Sequence, residues 1–225
     1  DWLELANKKI LQCRKIKKTP ILVGGTGLYF KALTEGLVNI PKIPINFRNK
    51  VRNLHKRIGQ KKFFLKLLEI DPLIKDQINS LDVQRSLRAY EIKSFTKKSM
   101  ISWFKNTKSD YDHNDFFKIC IDFPRKDLIE RINKRSENMI KLGAILEVKK
   151  FIKLRVPKNK SLSKAIGISE IKQYLQKKIQ TEQLIEKISI KTRQYAKRQS
   201  TWARGHMKDW NKVNPAGLEK LLKKI

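Results

Sequence analysis

Residues 20–36 read Pro20-Ile-Leu-Val-Gly-Gly-Thr-Gly-Leu-Tyr-Phe-Lys-Ala-Leu-Thr-Glu-Gly36. After the proline, the short apolar run Ile21-Leu22-Val23 meets Gly24-Gly25-Thr26-Gly27, which predicts a buried strand ending in a tight turn. Leu28 to Leu33 then has helical character and stops at Gly36, a C-cap glycine. Strand, glycine turn and helix in this order point to an α/β core. Upstream, Leu3 to Lys18 reads as a basic amphipathic helix. Downstream, the pattern changes to short helices at Ile45 to Arg57, Lys61 to Ile70 and Asp82 to Phe95, the last with Asp82 as N-cap. The β-prone run Phe116 to Phe123 suits an inner strand of a parallel sheet. Helices follow at 127–142, ended by Gly143, and at 144–154, 169–176, 182–204 and 218–225. The expected organisation is a core α/β segment over 1–44, a helical insertion over 45–115 and a return to the core over 116–225.

The composition narrows the function classes. The chain has 225 residues, and 52 Lys+Arg against 21 Asp+Glu leave a formal charge of +31, which calls for a polyanionic partner. Lysine is spread along the whole sequence, so position rather than net charge must decide where that partner binds. With 40% hydrophobic residues, 9 Gly and 7 Pro, disorder and collagen-like repeats are excluded. No apolar run approaches the roughly 18 to 20 residues that span a bilayer, and no signal pattern opens the chain. The expectation is a soluble cytoplasmic protein, a monomer, without a membrane partner. Cys13 and Cys120 give neither a disulfide framework nor a CxxC site. His55, His113 and His206 lack a second ligand at metal spacing, so no metal ligands are assigned. The first residue is Asp1 and the helical pattern is already under way there, so a preceding segment is expected.

Three places could carry chemistry. The Gly24-Gly25-Thr26-Gly27 turn puts bare backbone N–H groups and one hydroxyl at a helix N-terminus, where an anion is favoured. It lacks the G-x-x-x-x-G-K-[ST] spacing of a Walker loop, and a purely structural turn remains the alternative. In the 182–204 helix, Leu184, Ile188, Tyr195 and Trp202 form one stripe, while Arg193, Lys197 and Arg204 form the opposite face. That face is a row of phosphate ligands or a solvated surface. Lys191 and Arg198 lie within roughly 40° of the apolar stripe, which suggests that Arg198 points into a cleft. In the helix after Asp82, Gln84, Arg85 and Arg88 can reach base edges and phosphates, or serve as surface charge. Arg125, Arg131 and Arg135 are open to both readings, and Asp122 and Asp127 have no acid/base spacing.

Taken together, Pro20 to Tyr29, Asp82-Val-Gln-Arg-Ser-Leu-Arg-Ala89, Lys164-Ala-Ile-Gly-Ile168 and Thr192-Arg-Gln-Tyr-Ala-Lys-Arg-Gln-Ser-Thr-Trp202 resemble the tRNA dimethylallyltransferase family. Arg131, Arg135, Met139, Gly143 and Glu147 extend the similarity to about residues 1–212. The resemblance implies a P-loop-kinase-like parallel-sheet core with a helical insertion that grips a tRNA anticodon stem-loop. It implies transfer of a dimethylallyl group from dimethylallyl diphosphate, with Mg²⁺, to the exocyclic N6 amine of the adenosine 3′ of the anticodon. That base must leave its stack and enter a channel before it reacts.

By the same resemblance Thr26 is the channel threonine, catalytic together with Arg193. Arg48 and the run Gln84, Arg85, Ser86, Leu87, Arg88 hold the tRNA, and Arg193 and Arg198 face the diphosphate or RNA phosphates. Gly24 and Gly25 are placed beside that anion by the bare N–H groups of their turn. Lys197 joins them on helical geometry alone. Two departures stand out. Ile168 and Ser169 replace an aromatic and a basic residue. The family's phosphate loop and general-base aspartate precede the position of Pro20 and are not in these residues, so 1–225 alone is expected to be inactive. A non-catalytic RNA-binding module and an adenylate isopentenyltransferase are the alternative functions.

Overall fold

The structure is a computed structural model that describes residues 2–105, 107–157 and 160–223, His113 through its backbone. It divides into two compact units, one of residues up to Leu22 together with Leu28–Phe116, the other of Val23–Gly27 with the chain from Phe117 onward.

The first unit is helical: α1 (Trp2–Lys15), α2 (Gly27–Thr34), α3 (Ile45–Ile70), α4 (Val83–Thr96) and α5 (Met100–Lys105). Gly36 has φ +91°, as a C-cap glycine requires. Helix α3 is two helices across a break at Gly59 (φ 75°, ψ 166°), where the sequence predicts two segments. The break is pinned from both sides. A His55 ring nitrogen lies 2.9 Å from Gln60 Oε1, and Gln60 Nε2 donates to the Ser80 carbonyl and to Ser86 Oγ. Asp82 caps α4 by accepting from the Arg85 N–H at 3.0 Å. Ile43, Phe64, Leu67, Ile74, Ile78, Ala89, Ile92 and Met100 form the main apolar core, and Val51, Phe63 and Leu87 a second cluster between α3 and α4. Helix α5 is not foreseen in the sequence reading.

The second unit contains β1 (Ile119–Ile121), α6 (Arg125–Lys141), α7 (Ala144–Lys153), α8 (Ile168–Leu175), α9 (Thr181–His206), β2 (Asn211–Val213) and α10 (Pro215–Leu222). Strands β1 and β2 pair in parallel, Ile119 opposite Asn211 and Ile121 opposite Val213. Val148, Ile168, Ile171, Leu184 and Ile188 make the core under α7, α8 and α9. The expected 218–225 helix begins at Pro215, and its last two residues lie outside the described ones.

Two strand expectations need correction. Residues 21–23 are not a strand: Ile21 is 79% and Val23 90% exposed, and no described residue forms a ladder with them. An apolar run becomes a strand only through its neighbour's hydrogen bonds. The run at 116–123 yields three strand residues, which among the described residues pair along one edge only and leave Ile121 exposed, in place of the inner strand expected. The parallel direction is as expected, but the sheet is small and the architecture mostly helical. Among the described residues no helix is long and apolar enough to cross a membrane.

Candidate functional site

In the second unit the glycine turn rests on the end of α9. Gln199 Nε2 donates to the Gly25 carbonyl at 2.9 Å, a contact across 174 residues. At Gly27 an added Cβ would lie 2.0 Å from Trp202 Cε3, so only a residue without a side chain lets the turn come this close. Trp202 is itself held by stacking on His206, ring centroids 4.4 Å apart and 7° from parallel. Gly24, Gly25 and Thr26 are exposed. The turn therefore presents its hydroxyl and backbone to solvent while its position is set from behind. Gln199 is a site residue that the sequence reading missed; the only signal for it is its place inside the Thr192–Trp202 motif.

The face assignment of α9 is altered by its neighbours. Leu184 and Ile188 are buried, but Tyr195 is 42% exposed and carries Arg198 over its ring at 5.6 Å. Arg193, expected on an outward face, is half-buried and donates from Nη1 to Asn133 Oδ1 on α6 at 3.4 Å. The reason is that α9 packs against α6 as well as α8, and Arg193 falls at the contact with α6. Lys197, Arg198 and Arg204 are exposed. Lys191 forms an ion pair with the buried Glu170, whose other oxygen accepts from the Gly167 N–H. Among the described residues no hydrogen bond or ion pair joins Thr26 to Arg193, Lys197 or Arg198.

In the first unit Gln84 and Arg85 are exposed and Arg88 partly so. Ser86 is fully buried; its hydroxyl donates to the Asp82 carbonyl at 2.7 Å and accepts from Gln60. Leu87 lies in the apolar cluster with Val51 and Phe63. Within this run the side chains that reach solvent are thus Gln84, Arg85 and Arg88, while Ser86 and Leu87 fix the helix beneath them. Arg48 and Arg88 converge on the carboxylate of Glu91 at 3.3 and 3.5 Å. No group of three His, Cys, Asp or Glu side chains converges among the described residues.

A model of the IPP transferase family matches residues 1–206. The chain belongs to the IPP transferase family. Its relatives include proteins named tRNA dimethylallyltransferase from Pelagibacter ubique, 56% identical over all 225 residues and covered to 72% of its length, and from Rickettsia massiliae, 41% identical over 92% of this chain and 58% of that one. Among solved structures, a full-length tRNA isopentenylpyrophosphate transferase from Bacillus halodurans is 29% identical, with TM-score 0.59 over 95% of this chain and 66% of that one. A eukaryotic dimethylallyltransferase solved acting on tRNA shares the fold at TM-score 0.75 and 23% identity, over 95% of this chain and 55% of that one. The chain thus spans between 55% and 72% of these four relatives' lengths. The resemblance read from its motifs is the family relationship found.

Proposed function

We propose that this chain serves the prenylation of tRNA, on a core of the P-loop-kinase kind. The exocyclic N6 amine of the adenosine 3′ of the anticodon attacks C1 of dimethylallyl diphosphate. The C–N bond forms as the C–O bond to diphosphate breaks, and the amine then gives up one proton to a base. Such a reaction asks for orientation of two substrates and for cations or N–H donors around the leaving diphosphate. The observation that supports this reading is the glycine turn held on α9 by Gln199 and Trp202, because it fixes Thr26 and its flanking backbone N–H groups at an exposed position. In this reading Thr26 contacts the reacting ends, Arg193, Lys197, Arg198, Gly24 and Gly25 serve the diphosphate or RNA phosphates, and Arg48 with Gln84 to Arg88 hold the RNA. Mg²⁺ would neutralise the diphosphate, bound chiefly through its oxygens.

The 225 residues contain no G-x-x-x-x-G-K-[ST] loop, so the test joins them in frame behind the corresponding amino-terminal part of the Pelagibacter relative. The fusion, given tRNA, dimethylallyl diphosphate and Mg²⁺, is expected to yield N6-isopentenyladenosine in the anticodon loop. Residues 1–225 alone are expected to bind the RNA without transfer. A folded fusion that transfers to no tRNA, or that prefers AMP, would overturn the proposal. In the active fusion Thr26→Ala and Arg193→Ala should each slow transfer by orders of magnitude with little change in RNA affinity.

A further inference from the structure

We propose that Arg48, Arg52 and Arg88, gathered around the buried carboxylate of Glu91, form one clamp for RNA phosphate, with Arg52 as a phosphate ligand and Glu91 as the positioning residue. The proposal rests on the reading of this chain as a tRNA-modifying protein and adds to it two residues that the motifs do not single out.

Glu91 is 2% exposed. Its Oε2 lies 3.3 Å from Arg48 Nε and 3.5 Å from Arg88 Nη1, and its Oε1 lies 4.0 Å from Arg52 Nε. A carboxylate taken out of water needs a cation beside it, and one arginine meets that need. Three arginines less one carboxylate leave two positive charges in excess at one point. Among the described residues no other carboxylate pairs with any of the three. Gathering like charges is unfavourable within the protein, so the arrangement is completed by an anion from outside.

The geometry suits one. The three arginine side chains stay 37%, 46% and 41% exposed, so each guanidinium is anchored inward and reachable from solvent. Glu91 approaches Arg48 and Arg52 on the Nε side as ion pairs rather than hydrogen bonds, with Arg48 Nε buried and otherwise unpartnered, which leaves the two-amino end of each fork for the paired oxygens of a phosphate. Arg48 and Arg52 are four residues apart on α3, and Gln84 and Arg88 four apart on α4, so each pair shares a helix face. A phosphate held here fixes the register of an RNA backbone, and base edges are left to Gln84.

The two roles of Glu91 predict opposite signs, which makes the test sharp. If the arginines act only as a cloud of charge, Glu91→Gln removes a negative charge and should tighten RNA binding. If Glu91 holds them in place, the same change should weaken binding although the protein becomes more cationic. A fluorescein-labelled tRNA anticodon stem-loop is titrated with the 225-residue chain at several KCl concentrations. Glu91→Gln is expected to weaken binding about tenfold or more, Arg52→Gln to weaken it and lower the salt slope by about one phosphate contact, and Arg52→Lys to keep the slope but lose affinity with the fork. In the active fusion Arg52→Gln should raise KM for RNA and leave kcat unchanged.

Equal or tighter binding by a folded Glu91→Gln protein, or an unchanged slope in Arg52→Gln, overturns the clamp. Should Glu91→Gln fail to fold, the surface variant Arg52→Gln decides. If the unaltered chain ignores the stem-loop, the tRNA reading itself falls; if it binds and the variants change nothing, only the clamp does.

Discussion

At the glycine turn of the second unit, position comes from the absence of side chains: Gly27 lets Trp202 approach and Gly25 offers a carbonyl to Gln199. In the first unit position comes from charge, with one buried carboxylate organising three arginines from two helices. At Gly27 the turn tolerates nothing larger, and it asks little of electrostatics. The arginine cluster tolerates exposure but depends on a single acid. A site built on close approach is broken by adding atoms, whereas one built on charge is broken by neutralising its centre.

The largest effect is expected where the close approach has no slack. Gly27→Ala sets a Cβ against a Trp202 ring that is already stacked on His206, so the ring cannot simply retreat. Overpacking of this kind costs about 1–3 kcal/mol, read as a fall in Tm of about 2–4 °C per kcal/mol for a chain of this size. Transfer in the active fusion should fall by about a hundredfold, since displacement of a positioning element costs that much. Full activity and an unchanged Tm would show that the turn is not held by contact.

Gln199→Ala should be milder. One partly exposed hydrogen bond is lost, worth about 0.5–1.5 kcal/mol, and transfer should drop about tenfold with RNA affinity unchanged. Gly25→Ala should resemble it, because the atom its Cβ meets is the mobile end of the same Gln199 side chain. If Gly25→Ala is instead as damaging as Gly27→Ala, the distinction between a rigid and a yielding neighbour fails.

In the first unit Asp82→Ala removes the α4 cap and should cost about 1 kcal/mol, measured by urea unfolding, with a small loss of RNA affinity as the turn carrying Gln84 and Arg85 frays. A loss of affinity without any loss of stability would mean that Asp82 acts on the RNA and not on the helix.

The smallest effect separates the units by pH. Burial, the main cause, raises the Cys120 thiol above 9.0 and the Tyr111 hydroxyl above 10.0, with the nearby Asp122 and Asp110 adding to it. The unfolded chain therefore releases each proton first, so both contributions are complete below about pH 9 and are lost as pH rises through the folded values. Cys120→Ala should remove the part of the Tm decline that starts near pH 9 and leave the Tyr111 part. An identical profile in Cys120→Ala would contradict the burial of that thiol.

Local signals in the sequence carried most of the helical fold. The Asp82 cap, the stops at Gly36 and Gly143 and the break near Gly59 are each set by one residue's backbone preference, and each lies where the pattern puts it. Strands depend on partners instead. Ile21 to Val23 has the composition of a strand and no ladder, while Asn211-Lys212-Val213 has one apolar residue and pairs with β1. The candidate sites divide the same way. The motif residues are recognisable as words in the sequence, but that Ser86 and Leu87 face inward, that Arg193 meets Asn133, and that Arg52 shares Glu91 with Arg48 and Arg88 are outcomes of helix packing. A helical wheel for α9 cannot show that α6 and α8 both pack against it.

The ladder between β1 and β2 also bears on the order of assembly. Ile119 and Asn211 are 92 positions apart (211 − 119), and everything between them is made first as the chain is synthesised. Closing so long a loop costs entropy that three residue pairs repay only weakly. The helices α6 to α9 therefore come together first and carry the two strands to each other. Until Val213 has emerged from the ribosome, β1 stands as an open strand edge of the kind that recruits other chains, and slow translation over residues 122–213 would lengthen that exposure.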